Sequence, residues 1–179
     1  MKEKFRFILN SQPRTYQITE IANTVFSFYS FQPNDEKKTE SFMNSIPEGF
    51  TALPHTTGFI GHLGPYYLHQ LEGGDFLFGF QTDDRHSNPN NVIHGGALVG
   101  FADTVMGHCV FKSSDRPCAT ISLNTEFAAG APAGSWITAR PELRKKTNSL
   151  AFVRTDLWAE DALILSATAV FKLFPANRS

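Results

Sequence analysis

Between Ser45 and Phe174 the apolar and polar positions follow a pattern whose period changes along the chain. Residues 66–71 and 76–82 are short apolar-rich runs around the turn Glu72-Gly73-Gly74-Asp75, which predicts a β-hairpin. Residues 83–91 are polar and rich in turn formers. Residues 97–111 then run without proline, are largely apolar and contain Ala, Leu, Val and Met, which predicts a helix. That helix is apolar nearly all round, so it should be enclosed. After a break at 113–117 the period becomes two: Ile121, Leu123, Thr125 and Phe127 alternate with Thr120, Ser122, Asn124 and Glu126. Residues 135–143, 150–158 and 164–174 read as further strands, parted by polar turns at 144–149 and 159–161. Two strands, one buried helix and about four more antiparallel strands make an α+β fold with the helix packed on one sheet face. A strongly curved sheet could wrap that helix.

Residues 1–40 are less regular. Val25, Phe26, Phe28, Tyr29 and Phe31 precede a polar run at 32–40 that holds Pro33, Asn34 and Asp35 and reads as a linker or exposed loop. The expected organisation is a leader over 1–40 and one domain over 41–179, and 179 residues suit a single domain. Charged residues are 18% of the chain, low for a fully solvated surface, which hints at cover by another subunit. A net charge of −1 with no basic block gives no footprint for nucleic acid or a membrane surface. Two cysteines, Cys109 and Cys118, do not make a disulfide framework and point to a reduced, cytoplasmic protein. Residues 1–10 lack an apolar run of signal-peptide length, and no stretch reaches the ~18 apolar residues of a membrane span.

Two features of the central segment carry chemistry. Gly95 and Gly96 open the predicted helix, and without side chains they let a ligand approach the backbone closely. The first N–H groups of a helix have no partner inside it and, with the helix dipole, favour negative charge. Such groups can stabilise the oxyanion of a tetrahedral intermediate; a Gly-Gly pair also serves tight packing at a helix entrance. Asp103 sits among apolar neighbours, where a carboxylate is costly unless it is paired or functional. A bond to nearby backbone or to Thr104 would satisfy it structurally. Asp103 lies eight residues after Gly95, about 12 Å along a helix. Groups that attack and polarise one carbonyl must converge within about 3–4 Å of it. If both residues are catalytic, a two-fold dimer that brings a partner's Asp103 near this chain's Gly95 solves the problem and creates two equivalent sites.

The run Asn88…His94-Gly95-Gly96…Ala102-Asp103 resembles the signature of hotdog-fold acyl-CoA thioesterases of the phenylacetyl-CoA type. Asn88 stands six residues before His94, and Asp103 nine after it. The resemblance runs from about Ser45 to Phe174 and takes in Pro47-Glu48-Gly49-Phe50, the strand at 121–127 and Leu150-Ala151-Phe152-Val153. The leader departs from the family pattern. The resemblance implies a curved antiparallel sheet wrapped around one long central helix. It implies a homodimer or homotetramer with shared sites, the tetramer being commoner, and no cofactor, since CoA is part of the substrate. Asp103 matches the catalytic carboxylate, acting as general base or nucleophile. Gly95 matches the glycine whose N–H polarises the thioester carbonyl, with Gly96 beside the substrate. Asn88 matches the residue that positions water or the carbonyl from the facing subunit's site. His94 matches a residue that shapes the loop and can hydrogen-bond near the thioester. Thr120 falls where a hydroxyl stands near the attacking water, and suits an ordinary strand position equally well.

Thioester hydrolysis needs an activated oxygen nucleophile and an oxyanion site, and no metal, because the CoA thiolate leaves readily. Cationic contacts for the CoA phosphates could come from Arg140, Arg144, Lys145 and Lys146, which also suit a solvated charged turn. His86, His94 and His108 form no metal-ligand spacing with the cysteines. Cys109 reads as a helix core residue rather than a nucleophile. A nucleophile elbow is missing from the sequence. Two rivals stay open: a hotdog enoyl-CoA hydratase or dehydratase, whose acid would precede the helix, and a non-catalytic acyl-CoA-binding module, which would not need Asp103.

Overall fold

The computed structural model describes residues 5–9, 12–16, 46–54 and 57–176, and the chain divides into two compact units at Asn34/Asp35. In the first unit β1 (Phe5–Leu9) and β2 (Gln12–Tyr16) pair as an antiparallel hairpin with Phe5 opposite Tyr16. The pattern reading of 1–40 missed this hairpin, because five residues are too few for a period to stand out. The aromatic cluster at 25–31 and the polar run at 32–40 lie outside the described residues.

In the second unit the elements are β3 (Thr51–Ala52), α1 (Gly58–Leu63), β4 (Tyr66–Gln70), β5 (Phe76–Gln81), α2 (Gly95–Ser114), β6 (Cys118–Phe127), β7 (Trp136–Ala139), β8 (Glu142–Lys146), β9 (Leu150–Ala159) and β10 (Ala162–Leu173). The eight strands form one antiparallel sheet in the order β3-β4-β5-β7-β9-β10-β6, and β8 also pairs with β9. This is the expected curved sheet around one long helix. Residues 135–143 do not form one strand. β7 lies against residues 157–159 of β9 and β8 against residues 151–154, with the break at Arg140-Pro141. Proline has no N–H for the ladder, so the strand is interrupted there.

α2 has twenty residues, with His94 as its N-cap; Asp115 in the left-handed region (φ 51°) closes its C-terminal end by donating to Phe111 C=O. Leu98, Phe101, Ala102, Val105, Met106 and Val110 face the sheet and join Phe78, Phe80, Ile137, Leu157 and Ile164 in one core. Each such large side chain contributes about 1.5–3 kcal/mol. The expectation of an enclosed helix needs correction. Gly96 and Phe111 on α2 are exposed, and Gly100, Asp103 and Gly107 are half-buried. Apolar composition all round the helix therefore meets cover from this chain on one side. Among the described residues no helix is long and apolar enough to cross a membrane.

α1 was not legible in the sequence, since its six residues include two glycines and no full apolar stripe. It docks on α2 where Gly100 leaves room: a Cβ there would stand 2.7 Å from Leu63 Cδ1. A sharper case of a required glycine is Gly79 on β5. A Cβ at that position would lie 2.1 Å from Trp136 Cζ2, and Trp136 is itself packed edge-on by Phe50 and tilted against Tyr67. The indole cannot swing away without undoing both contacts. Gly79→Ala should destabilise the domain by about 1–3 kcal/mol, read as a lower midpoint in urea unfolding.

Candidate active site

The loop before α2 is built to hold the helix entrance. The Asp83 carboxylate accepts from Arg85 N–H at 2.9 Å and pairs with the Arg85 guanidinium at 2.9 Å. The Arg85 hydrogen bond holds the Asp83 carboxyl below the usual carboxylate range. The stability this lends is present above that range and is lost as pH falls through the lowered value. His86 is buried: its Nδ1 accepts from Asp83 N–H at 2.9 Å, so Nε2–H donates to Leu63 C=O at 2.7 Å. His86 C=O in turn accepts His94 N–H at 2.6 Å. Between them the Asn88 side-chain oxygen takes the N–H groups of Asn90 (2.9 Å) and Val92 (3.3 Å), and Asn91 adopts φ 57°. Asn88 thus closes an Asx turn with its oxygen, which leaves its amide nitrogen as the group that could face a ligand.

At the helix entrance His94 Nδ1 accepts from Gly96 N–H at 2.9 Å. That bond places the remaining ring proton on Nε2. It also consumes the Gly96 N–H. The N–H groups of Ala97 and Leu98 both turn back to His94 C=O. Among the described residues the Gly95 N–H has no acceptor, so of the two glycines it is the one able to polarise a carbonyl. A Cβ at Gly95 would stand 2.9 Å from Phe127 Cζ and 3.0 Å from its Cε1, so a larger residue there requires the ring to shift.

Asp103 is half-buried rather than buried, and Thr120 Oγ1 donates to its Oδ1 at 2.7 Å. This contact corrects the strict alternation expected along β6, which sets Thr120 with Ser122, Asn124 and Glu126. Ser122 lies opposite Val170, but Thr120 lies opposite Phe171, so Ile121 is an extra residue, a β-bulge. The bulge turns Thr120 to the side of Phe171, which touches Gly107 of α2. Bulges commonly re-aim side chains in this way beside active sites, and sequence periodicity gives no sign of one. β6 then runs antiparallel along α2: Cys118 Sγ meets Gly107 C=O at 3.7 Å, Thr120 meets Asp103, and Phe127 meets Gly95.

Exposed apolar side chains gather around this line. Ile121 is 59% exposed beside Thr120, Phe127 is 53% exposed over Gly95, and Phe59 is 69% exposed where it approaches Gly100. Burial and the nearby Asp103 push the Cys118 thiol up, and burial pushes that of Cys109 up, so neither thiol is tuned towards a thiolate nucleophile. The basic candidates stand elsewhere in this chain. Arg140 pairs with Asp75 at 2.6 Å, Arg144 pairs with Glu142, and Lys146 Nζ donates to Ser113 C=O. Arg144 lines a hollow of about 330 Å³ with Ser122, Asn124, Phe152 and Thr168, on the sheet side away from α2. Lys145 lies opposite Phe152. One chain thus brings Asp103 and Thr120 together, and His94 with Gly95 and Gly96, but does not place Arg144 or Lys145 beside Asp103.

Known proteins resemble the chain in sequence and fold. The thioesterase-superfamily profile matches residues 90–165, which span the α2 entrance, Asp103 and Thr120. A Pseudomonas aeruginosa protein assigned as an esterase is 29% identical over 133 residues, covering 73% of this chain and 99% of its own. The crystal structure of zebrafish thioesterase superfamily member 2 superposes with a TM-score of 0.60 at 20% identity, over 81% of this chain and 100% of that one. A hypothetical thioesterase protein from Streptococcus pneumoniae, solved with coenzyme A, superposes with a TM-score of 0.59 at 16% identity, over 64% of this chain and 90% of that one. The fold is the hotdog fold, and the class is thioester hydrolase. The chain resembles the thioesterase superfamily over residues 90–165.

Proposed function

We propose that the protein is an acyl-CoA thioesterase of the phenylacetyl-CoA type, acting in the cytoplasm on aryl- or fatty-acyl-CoA as a homo-oligomer with sites shared between subunits. The observation that carries this is the Asp103–Thr120 pair on an open face of α2, on the same helix as an unengaged Gly95 N–H. Asp103 Oδ2 is free of the Thr120 bond, and the Thr120 oxygen keeps lone pairs for a water. As general base, Asp103 takes a proton from that water as its oxygen attacks the thioester carbon. The tetrahedral oxyanion is held by a glycine N–H. Collapse breaks the C–S bond, and the Asp103 carboxyl returns the proton to the departing CoA thiolate. As nucleophile, Asp103 would form a mixed anhydride that water then opens, with the same groups in place.

The shared site follows from β6. It is both the wall of the site and an edge of the sheet, with backbone groups on its outer side unpaired among the described residues. Ten-residue edge strands seek partners, and a second copy pairing along β6 would set each Asp103 beside the other chain's helix entrance. It would also cover Ile121 and Phe127. The bound coenzyme A of the Streptococcus pneumoniae relative supports the choice of substrate. Release of free CoA from a panel of acyl-CoAs, read with a thiol-reactive dye, tests the reaction; no release from any ester would sink it. Thr120→Val, which keeps shape but removes the hydroxyl, should lower kcat about tenfold with KM little changed if it seats the water. An unchanged kcat would make Thr120 a strand residue and nothing more.

A further inference from the structure

The Phe127 ring is half in solvent, while the backbone that carries it is held in place. Its backbone lies opposite the fully buried Leu165, and the next two N–H groups, of Ala128 and Ala129, donate to Ile164 C=O at 3.0 and 3.4 Å. Its side chain falls on the α2 side of the sheet and rests on Gly95. The ring therefore covers the residue of the helix entrance whose N–H is unengaged. A carbonyl oxygen accepting that N–H sits about 2.9 Å from the nitrogen. The carbon atoms next to such a carbonyl would lie near the ring, which stands over Gly95.

We propose that Phe127 is a specificity-determining residue: its ring is the apolar wall on which the first carbons of the acyl group pack. It would favour acyl groups carrying an aromatic ring close to the carbonyl over acetyl. The proposal rests on the reading of Gly95 as the carbonyl donor. Aromatic pairs gain beyond plain burial, enough for a discrimination of up to about tenfold.

The test compares Phe127→Ala, Phe127→Leu and Phe127→Tyr with wild type for kcat/KM on phenylacetyl-CoA and acetyl-CoA, with assembly followed by sedimentation. The ratio of the two values should fall about tenfold in Phe127→Ala, fall less in Phe127→Leu, and return in Phe127→Tyr. A loss that is equal for both esters, or a changed ratio that appears only with dissociation of the oligomer, overturns the proposal and makes the ring a packing element. If Phe127→Ala fails to fold, the Leu and Tyr variants decide: a ratio that does not differ between them overturns it as well. If wild type hydrolyses neither ester, the reading of the reaction fails on its own. The same ratio is then taken from calorimetric dissociation constants of non-hydrolysable thioether analogues of the two esters. An unaltered ratio there removes Phe127's role too.

Discussion

Asp103→Asn should abolish acyl-CoA hydrolysis, lowering kcat about 10³-fold while the circular dichroism spectrum and unfolding midpoint stay near those of the wild type. The size follows from what the amide removes. A carboxamide of the same shape neither takes a proton from water nor attacks a carbonyl carbon, and positioned proton transfer contributes about 10²–10⁴-fold. The fold should survive because Asp103 is half-buried and its one side-chain bond, from Thr120 Oγ1, can be given equally to an amide oxygen. KM should move little, since the loss falls on the transition state. Release of CoA followed with a thiol-reactive dye gives the rate. A variant that is folded and retains more than about a tenth of the wild-type rate would exclude Asp103 from the chemistry. Binding of the ester without turnover in wild type would instead point to a module that holds acyl-CoA unchanged.

The fold was legible where periods are long. Fifteen apolar-rich residues made α2 plain, and residues 150–158 and 164–174 became β9 and β10 with ends within two residues of those expected. The short pieces escaped. α1 has six residues and β3 two, too few for any periodicity, and both are held by contacts distant in sequence, such as Leu63 on Gly100. The split of residues 135–143 had a visible cause in Pro141 that the alternation masked.

For the candidate site, the positions of Gly95, Gly96 and Asp103 on one helix could be read from spacing, because a helix converts residue number directly into distance. Their different fates could not. That His94 takes the Gly96 N–H and leaves the Gly95 N–H open depends on a ring rotamer. That Thr120 faces Asp103 depends on a bulge at Ile121, which breaks the very alternation used to place it. His86, which fixes the loop through its ring and its carbonyl, sits in a polar stretch with nothing local to mark it as buried. Alternation grouped Phe127 with Ile121, Leu123 and Thr125 but assigned it no partner, and its contact with Gly95 joins residues 32 apart.

Mixing two inactive variants should restore activity. Gly95→Pro removes the N–H proposed to polarise the carbonyl, and Asp103→Ala removes the carboxylate. Proline suits the first position of a helix, where its missing N–H costs no intrahelical bond. The residue before it, His94, already has φ −63° and ψ 132°, inside the range that a following proline demands. The Phe127 ring must shift to admit the proline side chain, and its half-exposed position lets it do so. In a heterodimer of the two variants with sites shared across the two-fold, one site joins the intact Gly95 of one chain to the intact Asp103 of the other. The second site has lost both. Purified heterodimers should then show about half of the wild-type rate, against near-zero for either homodimer. Tags on the two chains and sedimentation verify the composition. Sites contained within a single chain predict no recovery, because each chain of the heterodimer carries its own lesion. The roughly 12 Å that one helix sets between Gly95 and Asp103 makes that outcome incompatible with both residues acting on one carbonyl. An inactive, verified heterodimer would therefore force one of the two residues out of the mechanism.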